Sequence, residues 1–182
     1  MFENLGRAAR ADGGAGAAVG FHGARRVALA AVLALGATGA GAEPVCSEGA
    51  VFLRTPGGTE MRFSVEIADD TAERSLGLMN REHMARSSGM LFLYPQPQRA
   101  GFWMKDTLIP LDMIFMDQTG RVTKVHDQAV PLDRSGIDGG KGVKFVLEIN
   151  GGLAKTLGIV PGSALLHPAV DQGLALWPCP AP

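Results

Sequence analysis

The sequence predicts a mainly β (α+β) fold: a small antiparallel β-sandwich or partly closed barrel with one or two short helices. Three observations lead to this prediction. Residues 61–67 alternate apolar and polar side chains, which is the period of a strand with one buried face. Turn residues such as those at 56–58 (PGG) and 118–120 (QTG) separate about eight short apolar or alternating segments. Only one segment has a clear helical pattern, and strands joined by short turns favour antiparallel pairing over a βαβ arrangement.

The predicted strands follow one another along most of the chain. Taken in order, they cover residues 50–54, 61–67, 89–94, 101–107, 111–117, 122–128, 144–150 and 164–167. Residues 131–142 are rich in Gly and Asp and are predicted to form a loop. Residues 151–157 are expected to form a helical turn.

One helix is predicted between the second and third strands. Asp70 is its N-cap, because its carboxylate can accept backbone N–H bonds and Glu73 lies three residues on. An apolar stripe at helical spacing is expected to pack against the sheet, with the helix ending before residue 86. This stripe consists of Ala72, Leu76 and Met79.

Residues 1–42 are predicted to be an N-terminal extension and secretory signal peptide. Arg25 and Arg26 precede an apolar run of ten residues at 27–36 (VALAAVLALG), and Ala40-Gly41-Ala42 offers small residues to a signal peptidase. The run is shorter than the roughly 20 residues that span a bilayer. A short buried helix is the alternative. We therefore expect a periplasmic or secreted protein with one globular β-rich domain, residues 43–182.

The composition of the predicted domain excludes some classes of partner. Loss of residues 1–42 removes four arginines and two acidic residues, which takes the formal net charge from −1 to −3. No basic stripe remains, so nucleic acid is not an expected partner. No further long apolar run follows, so no membrane span is expected after cleavage.

Two cysteines, Cys46 and Cys179, lie near opposite ends of the predicted domain. In an oxidising compartment this pair predicts a disulfide that joins the two ends. Two unrelated thiols are the alternative.

Charged side chains inside apolar segments mark the candidate site. Such groups must be paired, lie at a rim, or face a ligand. If residues 101–107 form a strand, Trp103 and Lys105 share one face. A ligand site is predicted from Trp103, Lys105, Asp112, Glu148 and Asn150. The alternative is that these residues form ion pairs and turn-capping bonds that hold strand ends.

Several motifs in order along the chain resemble the family named domain of unknown function 192. They are residues 77–79 (GLM), 89–92 (GMLF), 102–112 (FWMKDTLIPLD), 114–117 (IFMD) and 146–152 (VLEINGG), and the likeness extends over about 51–167. The resemblance implies a compact, mainly β domain, commonly exported in bacteria, with no established reaction. The chain has Asp106 where the family often has Asn, and Ser163 where an acidic residue is common.

The leading functional prediction is a non-catalytic binding or accessory module for a small polar ligand, a sugar or an anion, in the bacterial envelope. The flat ring of Trp103 can stack on a sugar, and the positive charge of Lys105 can attract an anion. A carboxylate-dependent hydrolase that uses Asp112 and Glu148 is one alternative, and a structural envelope module that binds another protein is the other. No catalytic residue, metal site or cofactor is predicted, since no metal-ligand spacing, nucleophile elbow or phosphate loop occurs.

Overall fold

A computed structural model describes residues 44–181, and the predicted signal peptide lies outside this part of the chain. Its strands are β1 (Ala50–Arg54), β2 (Glu60–Ala68), β3 (Ser88–Phe102), β4 (Leu111–Met116), β5 (Val122–Ala129), β6 (Ile137–Asn150) and β7 (Ala164–Leu166). They form one curled sheet, a half-barrel, in the order β5-β4-β6-β3-β2-β1-β7. The mainly β prediction is confirmed. Of its two forms, the partly closed barrel is the one observed.

The β1–β2 hairpin forms where the alternating pattern predicts it. Phe63 and Val65 of β2 are buried, whereas Arg62, Ser64 and Glu66 between and beside them are exposed. The two strands pair antiparallel, with Val51 opposite Phe63. One face of the hairpin therefore packs into the core, as the period of two indicates.

The predicted helix is confirmed at its start but is shorter than expected. Helix α1 (Thr71–Leu76) has Asp70 as its N-cap, with Glu73 N donating to Asp70 Oδ1 at 2.8 Å. It ends at Gly77, whose φ of 49° lies in the left-handed region that glycine adopts most readily. The predicted apolar stripe is wrong, because α1 buries no residue and Leu76 is 60% exposed.

One strand pairing differs from the antiparallel prediction. β2 and β3 are parallel, with Ser64 opposite Ser88, and α1 lies in the connection between them. All the other pairs of the sheet are antiparallel. Parallel neighbours need a long crossover, and the 19 residues from 69 to 87 supply it.

β3 joins in one strand the two segments that were predicted as separate strands at 89–94 and 101–107. It continues through Pro95 and Pro97, because the pairing with β6 shifts from Leu93–Phe145 to Gln98–Val143. Five steps along β3 therefore correspond to two steps along β6, which is a bulge. Within the bulge Pro95 and Pro97 are not paired with β6, so their missing N–H groups break no ladder hydrogen bond. β3 ends at Phe102, so the strand predicted at 101–107 is wrong beyond that point. β6 in turn begins inside the loop predicted at 131–142.

The sheet buries apolar side chains on both faces. One core includes Leu91, Ile114, Leu147 and residues of helix α2 (Leu153–Leu157). The second core lies on the opposite face of the same strands, where residues alternate with those of the first. It includes Met90, Phe92, Met113, Phe115 and Val146, together with Leu78, Met104 and Ile109 from loops that cover this face.

The predicted disulfide is present. Cys46 and Cys179 are bonded, with their Cα atoms 5.7 Å apart, and the bond closes a loop of 133 residues. His167 Nε2 lies 3.0 Å from the backbone oxygen of Glu48 and its Nδ1 accepts from Ala169 N, so a second contact joins the two ends. Within residues 44–181, no helix has the length and apolar character needed to cross a membrane.

Candidate functional site

The structure does not bring together all five residues that the sequence placed in one site. Glu148 and Asn150 share a face of β6, as the alternation predicts. Asp112 lies on the opposite face of the sheet, because it is paired with Ile149, whereas Glu148 is paired with Met113. Asp112 and Glu148 therefore cannot act as one acid–base pair, and the hydrolase alternative loses its two-carboxylate site.

The Asp112 carboxylate is buried and bonded to the backbone. The residue has no exposed surface, and its carboxylate accepts three backbone N–H bonds, from Gln128 at 2.8 Å, Gly152 at 2.8 Å and Ala154 at 2.7 Å. Gln128 and Gly152 both have positive φ, 50° and 82°. The carboxylate thus links the end of β5 to the start of α2, and it holds Gln128 in a conformation that a residue with a side chain adopts less readily.

Asn150 has both N–H donors of its side-chain amide occupied. Its side-chain amide donates to the backbone oxygens of Met84 and Ala85 at 3.2 and 3.0 Å. These bonds attach the loop that follows α1 to the sheet. The residue therefore positions a wall of the second core and has no donor left over for a ligand.

Trp103 and Lys105 lie in the turns after β3 and do not share a strand face. Trp103 is half exposed, and Lys105 Nζ lies 5.7 Å from the centre of its ring. Lys105 Nζ is also 3.4 Å from Asp106 Oδ2. Asp106 has φ 55°, a left-handed conformation that Asn and Asp tolerate best, so the turn here is consistent with either residue.

Glu148 is the residue whose environment is hardest to explain by packing. It is 4% exposed and lies between Met90 and Met113 of the two neighbouring strands. Burial raises the pKa of its carboxyl from 4.5 to about 8, and no hydrogen bond or cation among the described residues opposes this effect. Every described side-chain polar atom that is sealed from solvent has a partner. The unpartnered Glu148 carboxyl must therefore be open to a cavity.

That cavity is a pocket of about 220 Å³ between the sheet, the end of α1 and the turns after β3. Four aromatic side chains line it, and two of them make an edge-on contact, Phe92 and Phe102, with ring centres 5.2 Å apart. The other two are Tyr94 and Trp103. Glu148 contributes its carboxyl to the same lining. The pocket thus combines aromatic side chains with polar ones, among them one acidic group. Apolar walls with a few polar groups that orient the ligand are common in small-molecule sites.

Arg74 of α1 is the one cation in the lining of this pocket, and one of its nitrogens is bonded to backbone oxygens. Its Nη1 donates to the backbone oxygen of Leu93 at 2.9 Å and to that of Asp69, and its guanidinium lies 5.5 Å from the Tyr94 ring centre. The pKa of Tyr94 is raised by burial; the Arg74 charge opposes this, and Glu148 adds to it. Tyr94 therefore lies within electrostatic reach of both charged groups.

Sequence reasoning missed Arg74, Tyr94 and Phe102 as site residues. One of the two carbonyl oxygens that hold Arg74 belongs to Leu93 on another strand, and nothing in the helix itself marks this contact. The bulge at Pro95 and Pro97 was a readable signal, since two prolines inside an apolar strand indicate a local irregularity. No group of three or more His, Cys, Asp or Glu side chains in residues 44–181 is arranged to hold a metal ion.

Comparison with known proteins adds a family and two related structures. The DUF192 family model, described as an uncharacterised ACR, matches residues 52–167. A crystal structure from Sinorhizobium meliloti 1021, of a protein described as a candidate transcription regulator, is 39% identical. It covers 68% of this chain and 95% of its own, with a TM-score of 0.64.

A second crystal structure, of a protein of unknown function from Novosphingobium aromaticivorans DSM 12444, is 38% identical. It covers 69% of this chain and 93% of its own, with a TM-score of 0.62. The search of curated proteins found no match.

Proposed function

The chain belongs to the uncharacterised DUF192 family, and we propose that its function is to bind a small polar ligand in the pocket beside Glu148. In this proposal the protein is a non-catalytic binding or accessory module. Glu148 contacts the polar group of the ligand, and Trp103 at the rim contacts its apolar part.

The unpartnered carboxyl of Glu148 carries the proposal. A buried polar group without a hydrogen bond costs roughly 1–3 kcal/mol, and more when it is charged. A ligand that donates a hydrogen bond to Glu148 would recover this free energy on binding. Strained or destabilised groups of this kind are concentrated at functional sites, particularly when they face a pocket.

The sequence predicts either a sugar or an anion as the ligand, and the position of Glu148 favours the sugar. An anion is disfavoured wherever Glu148 is ionised, since its charge would then lie beside a carboxylate. The cation that was expected to attract it, Lys105, is instead close to Asp106. A ligand with hydrogen-bond donors, such as a sugar, remains compatible with Glu148 and with the Trp103 ring.

We place this binding function outside the cytoplasm. The pattern of residues 25–42 supports export, and a disulfide is compatible with an oxidising compartment. The description of the Sinorhizobium relative as a regulator suggests DNA as a partner, but a net charge of −1 does not favour contact with phosphates.

Isothermal titration calorimetry with three probes tests the proposal: glucose, inorganic phosphate and tetramethylammonium chloride. We expect saturable binding of at least one probe other than phosphate. Glu148→Gln should weaken that binding at least tenfold. The matched control is Glu82→Gln, because Glu82 is exposed and should leave the affinity unchanged. No saturable binding of any probe, or equal effects of the two variants, would overturn the proposal.

Tryptophan fluorescence locates the bound probe. The chain has two tryptophans, Trp103 at the pocket and Trp177, which is buried beneath Arg54. Binding should change the emission of Trp177→Phe, which keeps Trp103. It should leave the emission of Trp103→Phe unchanged. The reverse result would place the ligand elsewhere and contradict the proposed site.

A further inference from the structure

We infer that the ligand of this pocket carries a permanent positive charge, an organic ammonium group set against the Glu148 carboxylate and the surrounding aromatic rings. The inference rests on the proposed function, because it names the ligand class of the same pocket. It goes beyond that proposal in selecting a cation over an uncharged donor.

The first argument is the missing counter-charge. Neither Arg74 nor Lys105 pairs with Glu148: Arg74 Nη1 donates to the backbone oxygens of Asp69 and Leu93, and Lys105 is close to Asp106. Neither charge opposes the effect of burial on the Glu148 carboxyl. A buried acidic group is stabilised by an opposite charge more than by a neutral partner. A cationic ligand would supply the partner that the described residues do not.

The second argument is the aromatic lining. An ammonium ion is attracted to the face of an aromatic ring within about 6 Å of its centre. Two rings of this pocket already have a side-chain cation at that distance, Tyr94 with Arg74 at 5.5 Å and Trp103 with Lys105 at 5.7 Å. The rings are therefore placed to attract cations, and Phe92 and Phe102 extend the apolar surface.

The third argument is size. The pocket volume of about 220 Å³ lies below the range of roughly 300–1,000 Å³ that is typical of drug-sized ligands. The pocket suits a compact head group, such as a trimethylammonium group, with the rest of the ligand outside. Trp103, which is half exposed, would then contact both the head group and the solvent side.

A pair of isosteric probes tests the charge directly. Choline and 3,3-dimethylbutan-1-ol have nearly the same shape, but only choline is charged. By calorimetry we expect choline to bind at least tenfold more tightly than the alcohol. Glu148→Gln should abolish this difference, whereas Glu82→Gln should preserve it. Equal affinity of the two probes for the wild-type protein would overturn the inference.

The pH dependence provides a second, independent readout. Glu148 faces Tyr94 of β3 and lies in the same pocket as Arg74 of α1, while its neighbours Met90 and Met113 do not titrate. With a pKa of about 8, only about one tenth of Glu148 is ionised at pH 7. Choline must bind the ionised form, so its affinity should rise about tenfold from pH 7 to pH 9. An affinity that is constant or falls over this range would contradict the inference.

The outcomes distinguish failure of the charged-ligand inference from failure of the proposed function. Glu148-dependent binding of glucose, with no preference for choline over its isostere, would overturn the charged-ligand inference and support the proposed function. Absence of binding by choline, the alcohol, glucose and tetramethylammonium would overturn both.

Discussion

Replacement of Glu148 by Gln should remove a strong pH dependence from the stability of the protein. In the unfolded chain the carboxyl titrates near its ordinary pKa of 4.5, but burial raises the pKa to about 8 in the fold. Below pH 4.5 the group is neutral in both states and causes no pH dependence. Between pH 4.5 and 8 the unfolded state loses the proton first, so the free energy of unfolding falls as the pH rises.

The magnitude follows from the two pKa values. Each pKa unit of difference corresponds to 1.36 kcal/mol, so the loss between pH 4.5 and 8 is about 5 kcal/mol. This is a large part of the 5–15 kcal/mol that is typical of a small domain. The same carboxyl that marks the candidate site therefore reduces the stability of the fold at neutral pH.

Urea denaturation at pH 5, 6, 7 and 8 measures the effect, with far-UV circular dichroism as the signal. The difference in unfolding free energy between Glu148→Gln and wild type should increase with pH by about 1 kcal/mol per pH unit. Other titrating groups are present in both proteins and cancel in this difference. The control Glu82→Gln should follow wild type. A difference that does not change with pH would refute the reasoning.

Three further predictions concern residues that hold the fold. Asp112→Asn should lower the free energy of unfolding by about 3 kcal/mol, because an amide cannot accept all three backbone N–H bonds, and should leave ligand affinity unchanged. Urea denaturation and calorimetry measure the two effects, and a loss of affinity in a stably folded variant would contradict the structural role. Gly89→Ala should cost about 1–3 kcal/mol, because a Cβ atom there would lie 2.5 Å from the backbone oxygen of Glu148. An unchanged melting temperature would show that the strands can separate at this point. Reduction of the Cys46–Cys179 bond should lower the free energy of unfolding by about 5 kcal/mol in the chain-entropy model. Urea titrations with and without dithiothreitol measure this loss, and coincident curves would contradict it.

Local signals were enough to predict most of the elements. The alternation in β2 identifies its buried face, and Asp70 with Glu73 identifies the start of α1. Both signals depend on residues a few positions apart, so the sequence alone is sufficient to locate the buried face of β2 and the start of α1. The end of α1 was missed because the apolar spacing, which includes Met79, was taken to continue the helix past Gly77. In the structure it is the C-cap.

Long-range register explains what could not be predicted about the site. The alternation of β6 places Glu148 and Asn150 on one face, and this is correct. The face of Asp112 depends on how β4 aligns with β6, and a shift of one residue would reverse it. The turn that holds Trp103 depends likewise on distant contacts, such as the bond from Met104 N to the backbone oxygen of Asp133 at 2.8 Å.

The disulfide joins the two ends of the domain's chain, so that the domain can be re-engineered with its termini at another position. With the Cα atoms of Cys46 and Cys179 5.7 Å apart, a short linker could join the two ends in place of the bond. New termini could then be opened in the exposed turn at Gly57 and Gly58, which contacts neither Glu148 nor the aromatic lining. Such a circular permutant would keep the order of the strands in the sheet while changing their order along the chain.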